Sequence, residues 1–219
     1  TQRNRAMSKV IYRRSGRIAR ITLNRPEVFN AIDDEMPGAL SAAAAAANAD
    51  PEVHVIVLSG AGKAFSAGYD LSFYAEDDGA DEVTQPMPWD PLKDYAFMRR
   101  NTEHFMSLWH SAKPVISKVQ GYAVTGGSDI ALCCDCEVIG ENTKIGYTPA
   151  RVWGCPRTAM WVYRVGAEQA KRMLLTGDKI DGRKAARVGL VMKAVPAADL
   201  DAAVEDLAAR IASVPINQL

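Results

Sequence analysis

The apolar positions of the chain fall first into two short alternating runs, 9–14 and 17–23, with Ser15-Gly16 between them. Period-two alternation on either side of a glycine-containing pair predicts an antiparallel hairpin closed by a tight turn. Pro26 breaks the chain after it, and Asp33 is placed to cap an alanine-rich helix running to about Asn48. At 53–58 His54 is the one polar residue in an otherwise apolar run. Such a run suits a parallel strand covered on both faces, because neither side is left to water.

Residues 60–70 are rich in Gly, Ala and Ser, and 76–91 carry acidic residues, Gly79 and the prolines Pro86, Pro88 and Pro91, which predicts a long excursion. Phe97, Met98, Phe105, Leu108 and Trp109 recur near helical spacing and predict a helix over 93–111 with a core-facing stripe. Lys113-Pro114 stops it. The pattern then predicts a strand at 115–119, a short helix at 128–134 after Gly126-Gly127, and short strands at 138–139 and 144–145. Helical segments at 156–165, 168–175 and 183–188, a strand at 190–195 and a helix at 198–212 follow. In that last helix Leu200, Val204, Leu207 and Ile211 lie three or four apart, a face that needs a surface to cover. Strands alternating with helices, without a repeat, predict one α/β unit. Its parts are an N-terminal extension 1–8, a core 9–195 and a C-terminal helical segment 196–219.

Charge and cysteine usage narrow the partners. Lys+Arg and Asp+Glu each number 26, and the resulting zero net charge leaves no basic field for nucleic acid or an anionic bilayer. The run of alanines at 42–47 falls far short of the ~18–20 apolar residues that span a membrane. No secretory pattern follows Arg3, Arg5 and Lys9, so a cytoplasmic location is expected. Cys133 and Cys136 form a C-x-x-C interrupted by Cys134, with neither a second knuckle nor a nearby histidine. Together with Cys155 they read as reduced thiols rather than a metal site or disulfides. His54, His104 and His110 read as structural.

The small-residue stretch 60–70 resembles a nucleotide loop only superficially. Lys63 is followed by Ala64 where a phosphate loop needs Ser or Thr, and Phe65 stands where a dinucleotide turn needs a small residue. No Gly-x-Ser-x-Gly elbow occurs. Two small-residue turns, 66–70 and 125–128, instead each follow a strand, and each can aim a backbone N–H outward. The second opens a helix, where unpaired N–H groups and the dipole both favour negative charge. Together they could form an oxyanion hole. The alternative is that Gly68, Gly126 and Gly127 only permit turns or close packing.

The runs Gly-Lys-Ala-Phe-Ser-Ala-Gly-Tyr-Asp-Leu and Lys-Pro-Val-Ile-Ser-Lys-Val-Gln-Gly-Tyr-Ala-Val-Thr-Gly-Gly-Ser-Asp resemble the crotonase, or enoyl-CoA hydratase/isomerase, superfamily. Leu23-Asn24-Arg25-Pro26 with Asn30-Ala31, and Leu174-Leu-Thr-Gly177 with 185–190, extend the similarity from about residue 10 to 213. The resemblance implies a spiral of ββα turns with two roughly perpendicular sheets and a helical C-terminal part. It also implies a homotrimer or homohexamer and an acyl-CoA thioester as partner, with CoA part of the substrate rather than a separate cofactor. Its oxyanion amides would be those of Tyr69 and Gly126, with Ala67, Gly68 and Gly127 giving the thioester room to approach. Asp70 would cap the following turn.

Two departures from the family pattern bear on the chemistry. Hydratases of this family place a glutamate after the glycine turn and a second in a Pro-Glu pair; here the positions hold Asp129 and, after Pro149, Ala150. Asp129 is shorter by one methylene, about 1.5 Å. A lone carboxylate can still shuttle one proton beside a thioester, so Asp129 is the expected proton carrier. Tyr147, Arg151 and Trp153 flank the gap at Ala150; Arg151 could bind an anionic group on the acyl chain and Tyr147 could donate a hydrogen bond. Two family lysines are replaced by Ser72 and Glu27, which would shift the CoA phosphates toward Lys63 or Arg25. Phe73, Tyr74, Met87 and Trp89 could wall the acyl pocket. Relative to the family pattern the C-terminal end is short, and subunit contacts would then bury the apolar face of the last helix. The competing reading is an acyl-CoA binding protein with impaired catalysis.

Overall fold

The computed structural model describes residues 8–72, 88, 90–148 and 158–219. The chain opens with the hairpin β1 (Val10–Ser15) and β2 (Ile18–Leu23), turned at Gly16 with φ 56°. Asp33 Oδ1 then accepts from the N–H groups of Glu35 and Met36 at 3.2 and 3.1 Å, starting α1 (Glu35–Ala49). After β3 (Val55–Gly60), Asp90 accepts from Leu92 N–H and Pro91 fills the first turn of α2 (Pro91–Trp109). There follow β4 (Val115–Val119), β5 (Tyr122–Val124), α3 (Gly126–Leu132), β6 (Cys136–Gly140) and β7 (Lys144–Gly146). The last described third holds α4 (Met160–Thr176), β8 (Lys179–Asp181), α5 (Gly182–Arg187), β9 (Lys193–Val195) and α6 (Leu200–Ala212).

Six strands form one sheet in the order β1-β2-β3-β4-β6-β9, antiparallel only at the hairpin; β5, β7 and β8 form a second sheet. This is the two-sheet α/β architecture with C-terminal helices that the motifs imply. The run of apolar residues in β3 is explained by its neighbours. Ile56 and Leu58 face the large core under α1 to α5, while Val55 and Val57 face a second core under α6. Each side chain of the strand is therefore removed from water.

Three expectations need correction. The two helices at 156–165 and 168–175 are one element broken at Gly166, whose φ of 74° and ψ of 166° are not helical. Only 193–195 of the strand expected at 190–195 forms, because Gly189 turns at φ 78° and the Leu190 and Val191 N–H groups fold back onto Ala185 O. The face of α6 covers its own chain: Leu200, Val204, Ala208 and Ala212 pack on Val57, Ile116 and Val138 of the main sheet. Arg20 and Lys118 on the same sheet face hold α6 by ion pairs to Glu205 and Asp201, at 2.7 and 2.6 Å. It neither stands apart nor requires a partner subunit. His54, expected to be structural, ties the start of β3 to the C-terminal segment through Nδ1, 2.9 Å from Val214 O.

Because α6 docks within the chain, Leu200→Ala should lower unfolding free energy by roughly 2–5 kcal/mol, the usual cost of emptying a buried leucine site. The gap in urea midpoint between the two proteins should be the same at every protein concentration; a gap that changes with concentration would return the helix to an interface between subunits.

Candidate active site

The two small-residue turns meet. The extended segment at 66–70 lies between two other stretches of chain: Ala67 N–H donates to Phe29 O and Ile32 N–H to Gly68 O on one side. On the other side Ser66 N–H donates to Tyr122 O, and Val124 N–H to Ser66 O. Asp70 N–H also reaches Ile32 O, so the peptides on both sides of Tyr69 bond toward Ile32 and the Tyr69 N–H turns to the opposite edge. Gly126 is the first residue of α3, where the helix itself provides no acceptor for its N–H.

Glycine is sterically required where the turns touch. A Cβ on Gly68 would lie 1.3 Å from Thr125 Oγ1, and one on Gly127 would lie 2.6 Å from Ser66 O. Gly126 has the Ile32 side chain and the Tyr69 ring across its Cα, at 2.9 and 3.0 Å from where a Cβ would stand. Close packing and an approachable backbone are thus two results of one arrangement. Thr125 bears its strain, with φ 54° and ψ −130°, a region that costs a non-glycine residue on the order of 1–3 kcal/mol. Its N–H donates to Gly146 O at 3.0 Å, and its carbonyl accepts from Ser128 Oγ at 2.6 Å, which hold the turn in place.

Asn30 braces the first turn from below. Fully buried, it donates to Ala61 O and Ala64 O at 2.9 and 2.8 Å and accepts from Arg25 N–H at 2.9 Å, while its own carbonyl accepts from Ser66 Oγ. Arg25 is committed to the same scaffold. Its guanidinium lies 2.9 Å from Asp70 and 3.5 Å from Asp33 and donates to Ala31 O. The phosphate role expected of Arg25 is therefore replaced by a structural one, since its charge is already met by two carboxylates. Asp70 is its ion-pair partner. Lys63 is exposed beside the first turn and is free to serve an external anion by position.

Asp129, on α3, is 5% exposed. Trp161 Nε1–H donates to its Oδ1 at 3.3 Å and Thr158 Oγ1 at 3.4 Å. Burial disfavours the charged form more than these donors favour it, so the carboxyl is pushed up to about 7. Burial and, secondarily, the Asp129 charge raise the Tyr69 phenol far above its ordinary range; Asn101 on α2 is its polar neighbour. The site thus places a carboxyl that titrates at neutral pH beside the turn that carries the Gly126 N–H.

The sequence singled out Asp129, Tyr69, Gly126, Ala67, Gly68 and Gly127, and the fold brings all of them to this junction. Tyr147 is buried in the main core next to Gly146. Arg151, Ala150 and Trp153 lie outside the described residues, as do Cys155, the 73–87 segment and Trp89. Thr158, Trp161 and Asn101 carry no signal in the sequence, and Thr125 figures there only as the first residue of the second turn. No local pattern ties Trp161 to a carboxylate 32 positions earlier. Cys133, Cys134 and Cys136 are free thiols, the first two buried.

Comparison with known proteins gives one answer. A family model described as enoyl-CoA hydratase/isomerase matches residues 13–219. A solved enoyl-CoA hydratase from Mycobacterium smegmatis superposes with a TM-score of 0.90 at 45% identity, covering 97% of this chain and 74% of its own. The (E)-benzylidenesuccinyl-CoA hydratase of Thauera aromatica is 34% identical over 203 residues, 91% of this chain and 74% of that protein. The crotonyl-CoA hydratase of Syntrophomonas wolfei is 31% identical over 212 residues, 95% and 77% of the two chains.

The Asp129 environment makes stability pH-dependent. Its carboxyl holds a proton in the folded state up to about 7 but releases it near 3.8 when unfolded, so its contribution to stability falls as pH rises between those values and is flat above. Asp129→Asn should remove a slope on the order of 1 kcal/mol per pH unit in that window, read by urea unfolding at several pH values. An unaltered slope would mean that Asp129 is ionised throughout.

Proposed function

The chain belongs to the enoyl-CoA hydratase/isomerase family, and from that premise we propose that it binds an acyl-CoA thioester and moves a proton at the carbon next to the thioester carbonyl. Asp129 as carboxylate takes the α-proton; the C–H electron pair becomes the double bond between the α-carbon and the carbonyl carbon while the carbonyl π pair moves onto oxygen, giving the enolate. The Tyr69 and Gly126 amides donate to that oxygen, whose charge is greatest in the transition state, so they stabilise it more than the ground-state thioester. Asp129, now protonated, returns its proton to carbon in the second half of the cycle. CoA enters as part of the substrate, with Lys63 meeting its phosphates.

The observation that carries this reading is the neutral-range carboxyl of Asp129 at the glycine turn. A general acid/base works best when its titration lies near the working pH, because both protonation states are then within reach. Hydration needs a second group to hold water, and Ala150 stands where the family pattern has the second glutamate; proton transfer at the α-carbon is therefore the step this site supports most directly. Ala150 also favours the second reading, in which the protein binds acyl-CoA without turning it over. The free thiols Cys133, Cys134 and Cys136 suit a reducing compartment, and among the described residues no helix is long and apolar enough to cross a membrane, in keeping with a cytoplasmic enzyme.

Assembly as a trimer, or two stacked trimers, belongs to the same reading. Its support is an aromatic patch rather than α6: Trp109 and Tyr163, with ring centroids 5.8 Å apart, are both exposed, next to exposed Val162.

Asp129→Asn should lower α-proton exchange of acyl-CoA in deuterated water by ~10² or more while leaving acyl-CoA affinity within about threefold. Exchange at the wild-type rate would overturn the assignment, and tight binding with neither exchange nor hydration in the wild type would favour the binding protein. Light scattering should give a mass three or six times the 23.7 kDa chain. A monomer at micromolar concentration would end the trimer.

A further inference from the structure

Trp161 reaches Asp129 from a short segment cut off from the rest of α4. Residues 160–165 form the first part of α4, entered through Ala159 at φ 57° and cut from the rest of the helix by the non-helical peptide at Gly166. A helical piece this short is not stable by itself, and the break prevents the longer second part from dictating its position. Met160 and Trp161 are buried, whereas Val162 and Tyr163 face outward. Val165 packs against the main core, and the inward polar anchor is Arg164, three residues after Trp161 and so on the same face of the turn.

Arg164 grips the far end of the helix that carries Asp129. Its guanidinium donates to the carbonyls of Leu132 and Asp135 at 3.2 and 3.3 Å, and to that of Cys134, where α3 has run out of intrahelical donors. Beneath it lies Glu137 of β6, 0% exposed, with Oε1 2.7 Å from Nη2 of the arginine. Both Glu137 oxygens and the arginine Nε–H lack a directional hydrogen bond, while the Nη groups are spent on carbonyls. One face of a six-residue turn therefore holds α3 at two points: Trp161 on the Asp129 carboxyl and Arg164 on the C-terminal carbonyls.

We propose that Arg164 is a positioning residue for the proton-transfer site, fixing the 160–165 segment on α3 so that the Trp161 indole N–H stays on the Asp129 carboxyl. The inference rests on the reading of Asp129 as proton carrier only for its effect on turnover; the positioning itself is a matter of geometry and is observable without substrate. The titratable groups around the site are Tyr69 and Cys133 facing Asp129, and Glu137, Asp135, Cys133, Cys134 and Cys136 around Arg164. Burial moves Tyr69, Cys133 and Cys134 well above neutrality; among the described residues Glu137, pushed up to about 8, is the neighbour whose titration lies near that of Asp129.

The full chain labelled with ¹⁵N at its tryptophan indoles tests this. Four Trp signals are present, and Trp161→Phe identifies the relevant one. In the wild type the Trp161 Nε1–H resonance should titrate with a midpoint near 7, a dependence that Asp129→Asn removes and Glu137→Gln retains. In Arg164→Met the resonance should move toward the position of an unbonded indole. Its midpoint should rise by ~0.5 pH unit or more, because the lost hydrogen bond favoured the ionised carboxyl, and the acid limb of α-proton exchange should shift upward with it. Arg164→Lys keeps the charge beside Glu137 with one nitrogen in place of a fork, and should restore part of the shift; it also answers the question if Arg164→Met does not fold. A Trp161 resonance and midpoint unchanged in whichever Arg164 variants fold would overturn the proposal. A displaced resonance combined with wild-type turnover in Asp129→Asn would instead remove Asp129 from the chemistry and leave the positioning role intact.

Discussion

The contact between two glycine turns is the constraint on which the rest of this structure depends. The turn at 66–70 and the start of α3 approach so closely that a methyl group at Gly68 or Gly127 would overlap Thr125 or Ser66. Nothing larger than hydrogen fits, and the two turns that carry the Tyr69 and Gly126 amides, the donors in the proposed function, are thereby held against each other. Fixed amides of this kind need no reorganisation when charge develops on a bound oxygen, which is why a site made from backbone can outperform water.

Much of the surrounding structure can be understood as holding that contact. The main sheet delivers β3 and β4 side by side, so the loops after them emerge together. Asn30 and the Arg25 ion pairs tie the first loop to the hairpin side, and Thr125 is held in a costly conformation by bonds to Gly146 and Ser128. The Asp129 carboxyl, the proposed proton carrier, is held differently: it is buried on α3 and contacted from α4, an element far away in sequence. Its environment is thereby set apart from the amides, and burial raises its pKa without altering their geometry.

How much of this was legible in the sequence depended on how local each signal was. The hairpin, α1, β3 and β4 followed from alternation, capping and apolar runs, all of which act within a few residues. β5 and β8, three residues each, went unseen because a strand that short carries no period to read. Motif resemblance located the turns and Asp129, because those residues are contiguous. Arg25 was misjudged as a phosphate ligand because the carboxylates that claim it, Asp33 and Asp70, are brought to it only by the fold. Glu137 was passed over for a similar reason. A lone glutamate in an apolar strand gives no sign that an arginine 27 positions later will cover it. The α6 stripe was correctly seen as apolar, but periodicity states that a face is buried and not against which surface.

In the proposed function one buried aspartate with a neutral-range carboxyl works beside the two amides. The pH dependence of α-proton exchange from a saturated acyl-CoA, held at saturating concentration in deuterated water, tests it most directly. The account predicts a rate that climbs with pH and levels off above a midpoint near 7. A rate flat between about pH 5.5 and 8.5, or no exchange from a tightly bound acyl-CoA, would contradict it.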